Sequence, residues 1–439
     1  MPLLARDKGV AMRKLRGTAW LALLVSLMLL TAACGGGEGD TDEGEGKAAA
    51  GDCDPATLTP AEEPAEEAAA SGGSFAIAQA KPTLTIGTFG DRTGENSNII
   101  LPSHDGMALA IEQANAAGNL PVTLAFKPLD NRNGAADTAP AIAQQLIGDQ
   151  SVVAVLGGGF SGETAATGGL FSEAGLLFFS ASATRPDLTQ SGFQTFFRGL
   201  ANDNDQGTGI VGVFEHLGCQ RVAVVDDKTP YGQGLADVAR ASAEDAGMEI
   251  VLDESIEPTT DYTALVDSVI AADPQAVFYS GYAAQFQLVA KQLREKGYEG
   301  IISSGDGSKE ETIGEKIGAA EAENVILTCP CPDINLSSEP EAQEFVEAFE
   351  AKYQKRPEIY AAEGFDVANT TIEAIGECGA DGAAGITREC VTENVKSSDY
   401  EGITKVFRFA EGGQVETGAV SVFVIRDGVV KEVGTVDSL

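Results

Sequence analysis

Histidine is almost missing from this sequence. His104 and His216 are the only two among 439 residues, which excludes a multi-histidine metal centre. Basic side chains are scarce too, with 29 Lys and Arg against 66 Asp and Glu. The resulting net charge of −37 makes the chain a poor binder of phosphate backbones, so no nucleic-acid partner is expected. Enzyme signatures are lacking as well. There is no G-x-x-x-x-G-K-[ST] loop and no H-E-x-x-H, and Ser161 sits in Gly-Phe-Ser-Gly-Glu rather than in G-x-S-x-G. Neither catalysis nor a cofactor is expected. Collagen-like, coiled-coil and wholly disordered compositions are excluded, since 43% apolar residues can bury a substantial core in two or three ordinary domains.

What is present starts with a basic front end. Arg6, Lys8, Arg13, Lys14 and Arg16 against Asp7 give residues 1–33 a net +4, and the apolar run from Trp20 to Leu30 follows. Small residues Ala32 and Ala33 then precede Cys34. A positive stretch, a short apolar core and a small-residue end describe a secretory signal over residues 1–33, with Met12 as an alternative start to Met1. The run is shorter than the ~20 residues a membrane span needs. Cys34 in this setting resembles a bacterial lipobox, although Thr31 stands where leucine is usual. The resemblance implies acylation of Cys34 and anchoring to the cell membrane outside the cytoplasm. Residues 34–80 then read as the lipidated cysteine and an acidic, disordered linker, whose eleven acids against Lys47 give −10. With +4 in front and −10 in the linker, the total of −37 leaves −31 for the body.

From Leu84 onward, β-branched and aromatic runs alternate with helical patterns. Leu84–Phe89, Val122–Phe126, Val152–Leu156 and Leu176–Phe179 read as buried strands, with helices over Gly106–Asn115 and Thr138–Ile147 between them. The alternation restarts with strands at Val222–Val225, Glu249–Leu252, Ala276–Tyr279 and Gly300–Ser303, separated by helices near 234–246, 262–271 and 284–296. Strands separated by helices predict parallel βαβ units, hence an α/β fold with two doubly wound sheets and a cleft suited to a small ligand. Residues 339–397 read as mainly helical. The segments 406–409, 420–425 and 429–433 read as a closing β-meander.

Two clusters lie at strand ends. Gly157-Gly-Gly-Phe-Ser-Gly162 formally matches G-x-G-x-x-G, but it follows the third strand and no acid stands about 20 residues on, which disfavours a dinucleotide. Bare amides at a helix start, with the Ser161 hydroxyl, equally suit a small anion or a purely structural turn. Ser182 and Thr184 leave the next strand, where they could converge with Ser161 or simply cap the connection. Asp203-Asn-Asp-Gln-Gly207 lacks the ligand spacing of a calcium loop and reads as a cap on a helix starting near Gln206.

Taken in order, several phrases carry a resemblance across nearly the whole body. They are Asp130-Asn-Arg-Asn133, Val155-Leu-Gly157 with Ser161, Ser182 to Leu188, Asp203 to Gly207, Asp226 to Gly234, Asp261-Tyr-Thr263 and Tyr279-Ser-Gly-Tyr282. Residues 82–439 resemble type I periplasmic binding proteins, in the branch that feeds branched-chain amino-acid ABC transporters. The resemblance implies two doubly wound parallel-sheet lobes joined by a multi-strand hinge. Residues 81–201 and 330–408 would form the N-terminal lobe, and 202–329 and 409–439 the C-terminal lobe. It implies a monomer that captures an amino acid, branched-chain or otherwise aliphatic, and delivers it to an ABC permease. Ser161 would hold the ligand carboxylate with Ser182, Ala183 and Thr184; Asp306 would meet the ammonium; Tyr231 and Tyr282 would wall the site. Ile99 replaces a usual aromatic residue in the loop after the first strand, and His104 nearby reads as solvated or capping. The same scaffold could instead take an amide, a urea or an aromatic acid, or serve as a sensory module.

Six cysteines remain besides Cys34. Cys378 and Cys390, twelve apart across a Gly-rich turn, are the preferred disulfide. Cys329-Pro-Cys331 has no second Cys/His pair of zinc spacing, and no metal is expected there. The resemblance places it at a lobe crossover, where a structural cross-link of unresolved pairing is expected. Cys219 is expected to be buried and inert, and Cys53 falls in the linker.

Overall fold

The computed structural model describes residues 81–439; the expected signal segment, Cys34, Cys53 and the acidic linker lie outside the described residues. The described chain begins with β1 (Thr83–Gly90), α1 (Ser97–Ala117), β2 (Thr123–Asp130), α2 (Ala139–Gly148), β3 (Val152–Leu156), α3 (Ser161–Glu173), β4 (Leu177–Ser180) and β5 (Phe196–Arg198). These strands form one sheet in the order β2-β1-β3-β4-β5, every neighbouring pair parallel. All five residues of β3, Val-Val-Ala-Val-Leu, are buried, as a strand covered by helices on both faces requires. Pro140 sits in the first turn of α2, where no amide proton is needed.

The second sheet restarts the pattern. Its units are α4 (Asp203–His216), β6 (Arg221–Asp226), α5 (Pro230–Asp245), β7 (Glu249–Ser255), α6 (Thr263–Ala272), β8 (Ala276–Ser280), α7 (Ala283–Glu295), β9 (Ile301–Ser304), α8 (Ile313–Ile317) and β10 (Ile326–Cys329). Then come α9 (Pro340–Tyr353), α10 (Ala361–Cys378), α11 (Arg388–Lys396), β11 (Tyr400–Glu401), β12 (Val406–Phe407), β13 (Ser421–Arg426) and β14 (Val429–Thr435). The seven-stranded order is β14-β13-β10-β9-β8-β6-β7. Its five βαβ strands are parallel, and β13–β14 adds an antiparallel hairpin at one edge. Asp427 and Gly428 turn that hairpin with φ of 54° and 79°, the left-handed pair that a two-residue turn demands.

The end of the chain departs from the expected meander. β12 pairs with β11 in a small separate ladder, while β13 and β14 join the second sheet. Phe409 stays with the first sheet, its ring 5.4 Å from Phe179 and 5.0 Å from Phe197, and Val415 N–H donates to Arg198 C=O at 3.0 Å. The chain therefore leaves the first sheet near Val415, beyond residue 408. The sequence pattern does not disclose β5, whose three residues are too few, nor β10.

The chain crosses between sheets three times, after β5, after β10 and after Val415. Gln414 ties two crossings together: its Oε1 accepts from Arg198 Nε at 2.7 Å, and its Nε2 donates to Leu200 C=O at 2.8 Å. At the remaining crossing Cys329 and Cys331 are bonded to each other. Cys378 and Cys390 form a second disulfide, joining α10 to α11. Cys219, expected as an inert thiol, is fully buried and disulfide-bonded.

Candidate functional site

The expected site residues follow the carboxyl ends of parallel strands, where doubly wound sheets place their ligands. Ser161 opens α3 after β3, and Ser182, Ala183 and Thr184 follow β4. Tyr231 is the second residue of α5 after β6, Tyr282 precedes α7 after β8, and Asp306 lies in the turn after β9. Ser161, Ser182, Tyr231, Tyr282 and Asp306 line one narrow inter-lobe cavity, together with Ile99 and Phe160; in this closed form its free volume is only about 10 Å³, so a ligand enters by parting the lobes. Ile99 reaches it from the first turn of α1 rather than from a loop.

Ala183 and Thr184 do not line this cavity. The Ala183 methyl belongs to the first-sheet core, and its N–H donates to Ser180 Oγ at 3.0 Å. Thr184 is fully buried off the cavity, its C=O accepting the Asp203 N–H at 2.9 Å. The loop turns both groups inward, so neither is among the groups that line the cavity in this structure.

Asp306 is the best-supported side chain in the cleft. Its Oδ1 accepts from Gln206 Nε2 at 2.5 Å and from Tyr231 OH at 2.7 Å, while its Oδ2 accepts from Tyr360 OH. The Tyr231 oxygen in turn accepts the Gly307 N–H at 3.0 Å. Only 3% of Asp306 is exposed, and burial pushes its carboxyl up to about 6 against the pull of the two tyrosine hydroxyls. Burial holds Tyr231 and Tyr360 well above the ordinary phenol range, and Asp306 adds to this, so both stay neutral donors.

Gln206 and Tyr360 are functional residues that the sequence reading missed. Gln206 falls inside the phrase read only as a cap. The helix starts earlier, at Asp203: Asn202 Oδ1 accepts from Asn204 N–H at 2.8 Å and Asp205 Oδ2 from Asn202 N–H at 3.3 Å. Gln206 is thereby turned into the core. Tyr360 comes from the other lobe. It precedes α10 with φ of 62°, a left-handed conformation costly for a bulky residue. Close packing of α1 on α10 fixes it there, since a Cβ on Gly106 would fall 2.0 Å from Ala361 C=O.

Two further carboxyls are buried around the cavity. Glu163 Oε1 accepts from Gly159 N–H at 2.6 Å and Phe160 N–H at 3.1 Å, and its Oε2 from Asn131 Nδ2 at 2.5 Å. Burial pushes Glu163 up to about 8. Asp203 is likewise pushed to about 8, by burial and then by Asp306. His104, expected as solvated or capping, is buried. The Arg92 guanidinium can only donate, so His104 Nδ1 accepts from it at 2.8 Å and the proton rests on Nε2, facing Thr88 Oγ1 at 2.9 Å. Among the described residues no cluster of His, Cys, Asp and Glu could hold a metal.

Comparisons with known proteins agree with the fold. Residues 83–428 match the family model described as periplasmic binding protein. A Pseudomonas aeruginosa protein named leucine-, isoleucine-, valine-, threonine-, and alanine-binding protein is 26% identical over 359 residues, 81% of this chain and 93% of the relative. The Streptococcus pneumoniae branched-chain amino-acid transporter substrate-binding protein LivJ, solved with isoleucine, superposes with a TM-score of 0.72 at 26% identity, covering 79% of this chain and 97% of that one. A solute-binding protein from R. palustris, solved with benzoate, has a TM-score of 0.72 at 16% identity over 81% of this chain and 96% of that one, which shows the shared fold alone. The chain belongs to the periplasmic binding protein family, and its two-lobed α/β fold is that of the type I members.

Proposed function

We propose that this protein captures an amino acid, branched-chain or otherwise aliphatic, between its lobes and delivers it to the permease of an ABC importer. The observation that carries the reading is Asp306: a buried carboxylate, organised by three donors, facing Ser161 across a small cavity. A zwitterion answers both ends. Its ammonium pairs with Asp306, and its carboxylate meets the Ser161 hydroxyl and the amino-terminal end of α3. Both charges are desolvated only when the lobes close and each is paired. Closure is thus favoured by the ligand's differential affinity for the closed state. Ile99 and Phe160 leave the side-chain end apolar. The binding-protein names of the relatives support this reading, and the front end supports a lipid anchor at Cys34 that keeps the protein at the outer face of the cell membrane as a monomer.

A thermal-shift screen of the twenty amino acids, simple amides, urea and benzoate tests the proposal. Saturating ligand raises the melting temperature by mass action, by about 2.7 kcal/mol of stability at 100 times Kd. Leucine, isoleucine or valine should give the largest shifts. A response to benzoate or urea with none from any amino acid would overturn the reading.

A further inference from the structure

The two ends of the cavity are unequally equipped, and the difference bears on ligand class. At the acidic end, Asp306 accepts two hydrogen bonds at Oδ1 and one at Oδ2, so one acceptor position of Oδ2 is left for a ligand donor. Asp203, also fully buried, stands close enough to add its field to that of Asp306, and neither of its oxygens makes a hydrogen bond of good geometry. Among the described residues no Lys or Arg forms an ion pair with Asp306, Asp203 or Glu163. The buried Arg198 acts on Asp203 only through space, while its hydrogen bonds go to Arg185 C=O at 2.6 Å, Gln414 Oε1 at 2.7 Å and Thr189 Oγ1 at 3.2 Å. Asp203 and Glu163, both pushed up to about 8, keep their protons at pH 7, so closing this cleft over a neutral or anionic molecule would leave Asp306 as the buried charge without a partner.

At the opposite end the cavity lining holds no Lys or Arg, and, apart from the first amides of α3, the loop and side-chain groups that could receive a carboxylate are already engaged. The Gly159 and Phe160 amides donate to Glu163, the Ser182 hydroxyl donates to Gly159 C=O at 2.9 Å, and the Ala183 amide donates to Ser180. Ser161 is the exception. Its oxygen accepts from Arg185 N–H at 3.2 Å, and its own proton is free to donate.

Resting on the amino-acid reading above, we infer that the site selects its ligand by the ammonium and tolerates loss of the carboxylate charge, so that its ligand class extends to monocationic α-amino amides. An amide oxygen takes the Ser161 hydroxyl as well as a carboxylate oxygen does, and the missing negative charge has no protein cation to lose. Removing the ammonium instead leaves Asp306 buried without a counter-ion.

Calorimetric titration of the full folded protein at pH 7 with leucine, leucinamide and 4-methylpentanoate tests this, the amide being largely protonated there. Leucinamide should bind within about tenfold of leucine, and 4-methylpentanoate at least about 100-fold more weakly. Leucine binding with leucinamide 100-fold weaker, or 4-methylpentanoate matching leucine, overturns the inference and leaves the amino-acid reading standing. Silence from all twenty amino acids with a response to leucinamide removes the amino-acid reading and with it the inference, since the site would then reject the carboxylate rather than tolerate its loss. Silence from leucinamide as well removes both.

Discussion

The two lobes meet the cleft with opposite resources. The second lobe presents a charged group, Asp306, whose supporting donors Gln206 and Tyr231 come from two different helices of that same lobe. The first lobe presents mostly backbone and hydroxyl groups that are bonded among themselves around Glu163 and Ser180, and it sends Tyr360 across to Asp306. A charge held in place before the ligand arrives loses little on closure. Groups that must first release their own partners return less. On the amino-acid reading proposed above, the acidic side is therefore expected to carry most of the head-group recognition.

The sharpest way to break that comparison is to alter one member of each side. Asp306→Asn keeps the shape and removes the charge, leaving a ligand ammonium without its counter-ion. Leucine affinity should fall several hundred-fold, roughly the 2–5 kcal/mol that losing one partner of a buried charge pair costs. Ser161→Ala removes a single neutral hydrogen bond and should weaken binding only about three- to tenfold. Calorimetry on both variants checks the ratio. Equal losses would show that the two ends share the work.

Tyr360→Phe probes the contact between the lobes. The variant loses the hydroxyl that donates to Asp306 Oδ2 while keeping the ring, and a hydrogen bond to a charged group contributes about 1.5–3 kcal/mol. Affinity should drop about tenfold or more. Because that donor favours the carboxylate form, the variant should also lose binding at a higher pH than the parent does. A fall in affinity with no change in the pH profile would make Tyr360 a wall residue rather than a partner of Asp306.

Acid should act on binding and on the empty protein with opposite signs. Binding needs Asp306 ionised, so affinity should decline as pH falls through about 6. Stability without ligand runs the other way. Asp306, Asp203 and Glu163 have folded-state values of about 6, 8 and 8, raised from unfolded values of 3.8, 3.8 and 4.5. Between about pH 4.5 and 8 the unfolded chain releases protons that the fold retains, so stability is highest at the low end and falls as pH rises. Melting temperatures of the ligand-free protein should decrease from pH 5 to pH 8, while the shift caused by leucine increases. Asp203→Asn should flatten the first trend and raise stability at pH 8. A rise in ligand-free stability over that range would contradict the buried-acid account.

The same contrast marks how far the sequence could be read. Strands such as Val152–Leu156 and Ala276–Tyr279 announce themselves by composition, and topology puts ligand positions after them, but it was the resemblance to the family that singled out Ser161, Ser182, Tyr231, Tyr282 and Asp306 among those positions. Tyr360 and Gln206 could not. Each reaches Asp306 from a distant part of the chain, Tyr360 through a left-handed backbone and glycine-mediated packing, Gln206 through a helix that begins one turn early. Ala183 and Thr184 show the converse: their positions were legible, but the direction of their hydrogen bonds depends on Ser180 and Asp203, which only the folded loop brings together.

The smallest expected effect on the ligand lies farthest from the cleft. Cys378 and Cys390 close a short loop between α10 and α11, with Cα atoms 6.0 Å apart. Replacing both with serine frees the unfolded chain, and the loop-entropy argument gives a loss of about 3 kcal/mol for a loop of this size. α10 also positions Tyr360, but it does so at its opposite end, seventeen or more residues from Cys378 and under the packing of α1. Denaturant unfolding of the double variant should therefore show a lower midpoint, with leucine affinity unchanged within about twofold. A large loss of affinity would mean that the disulfide sets the tilt of α10 along its whole length. The first lobe's contribution to Asp306 would then depend on that cross-link.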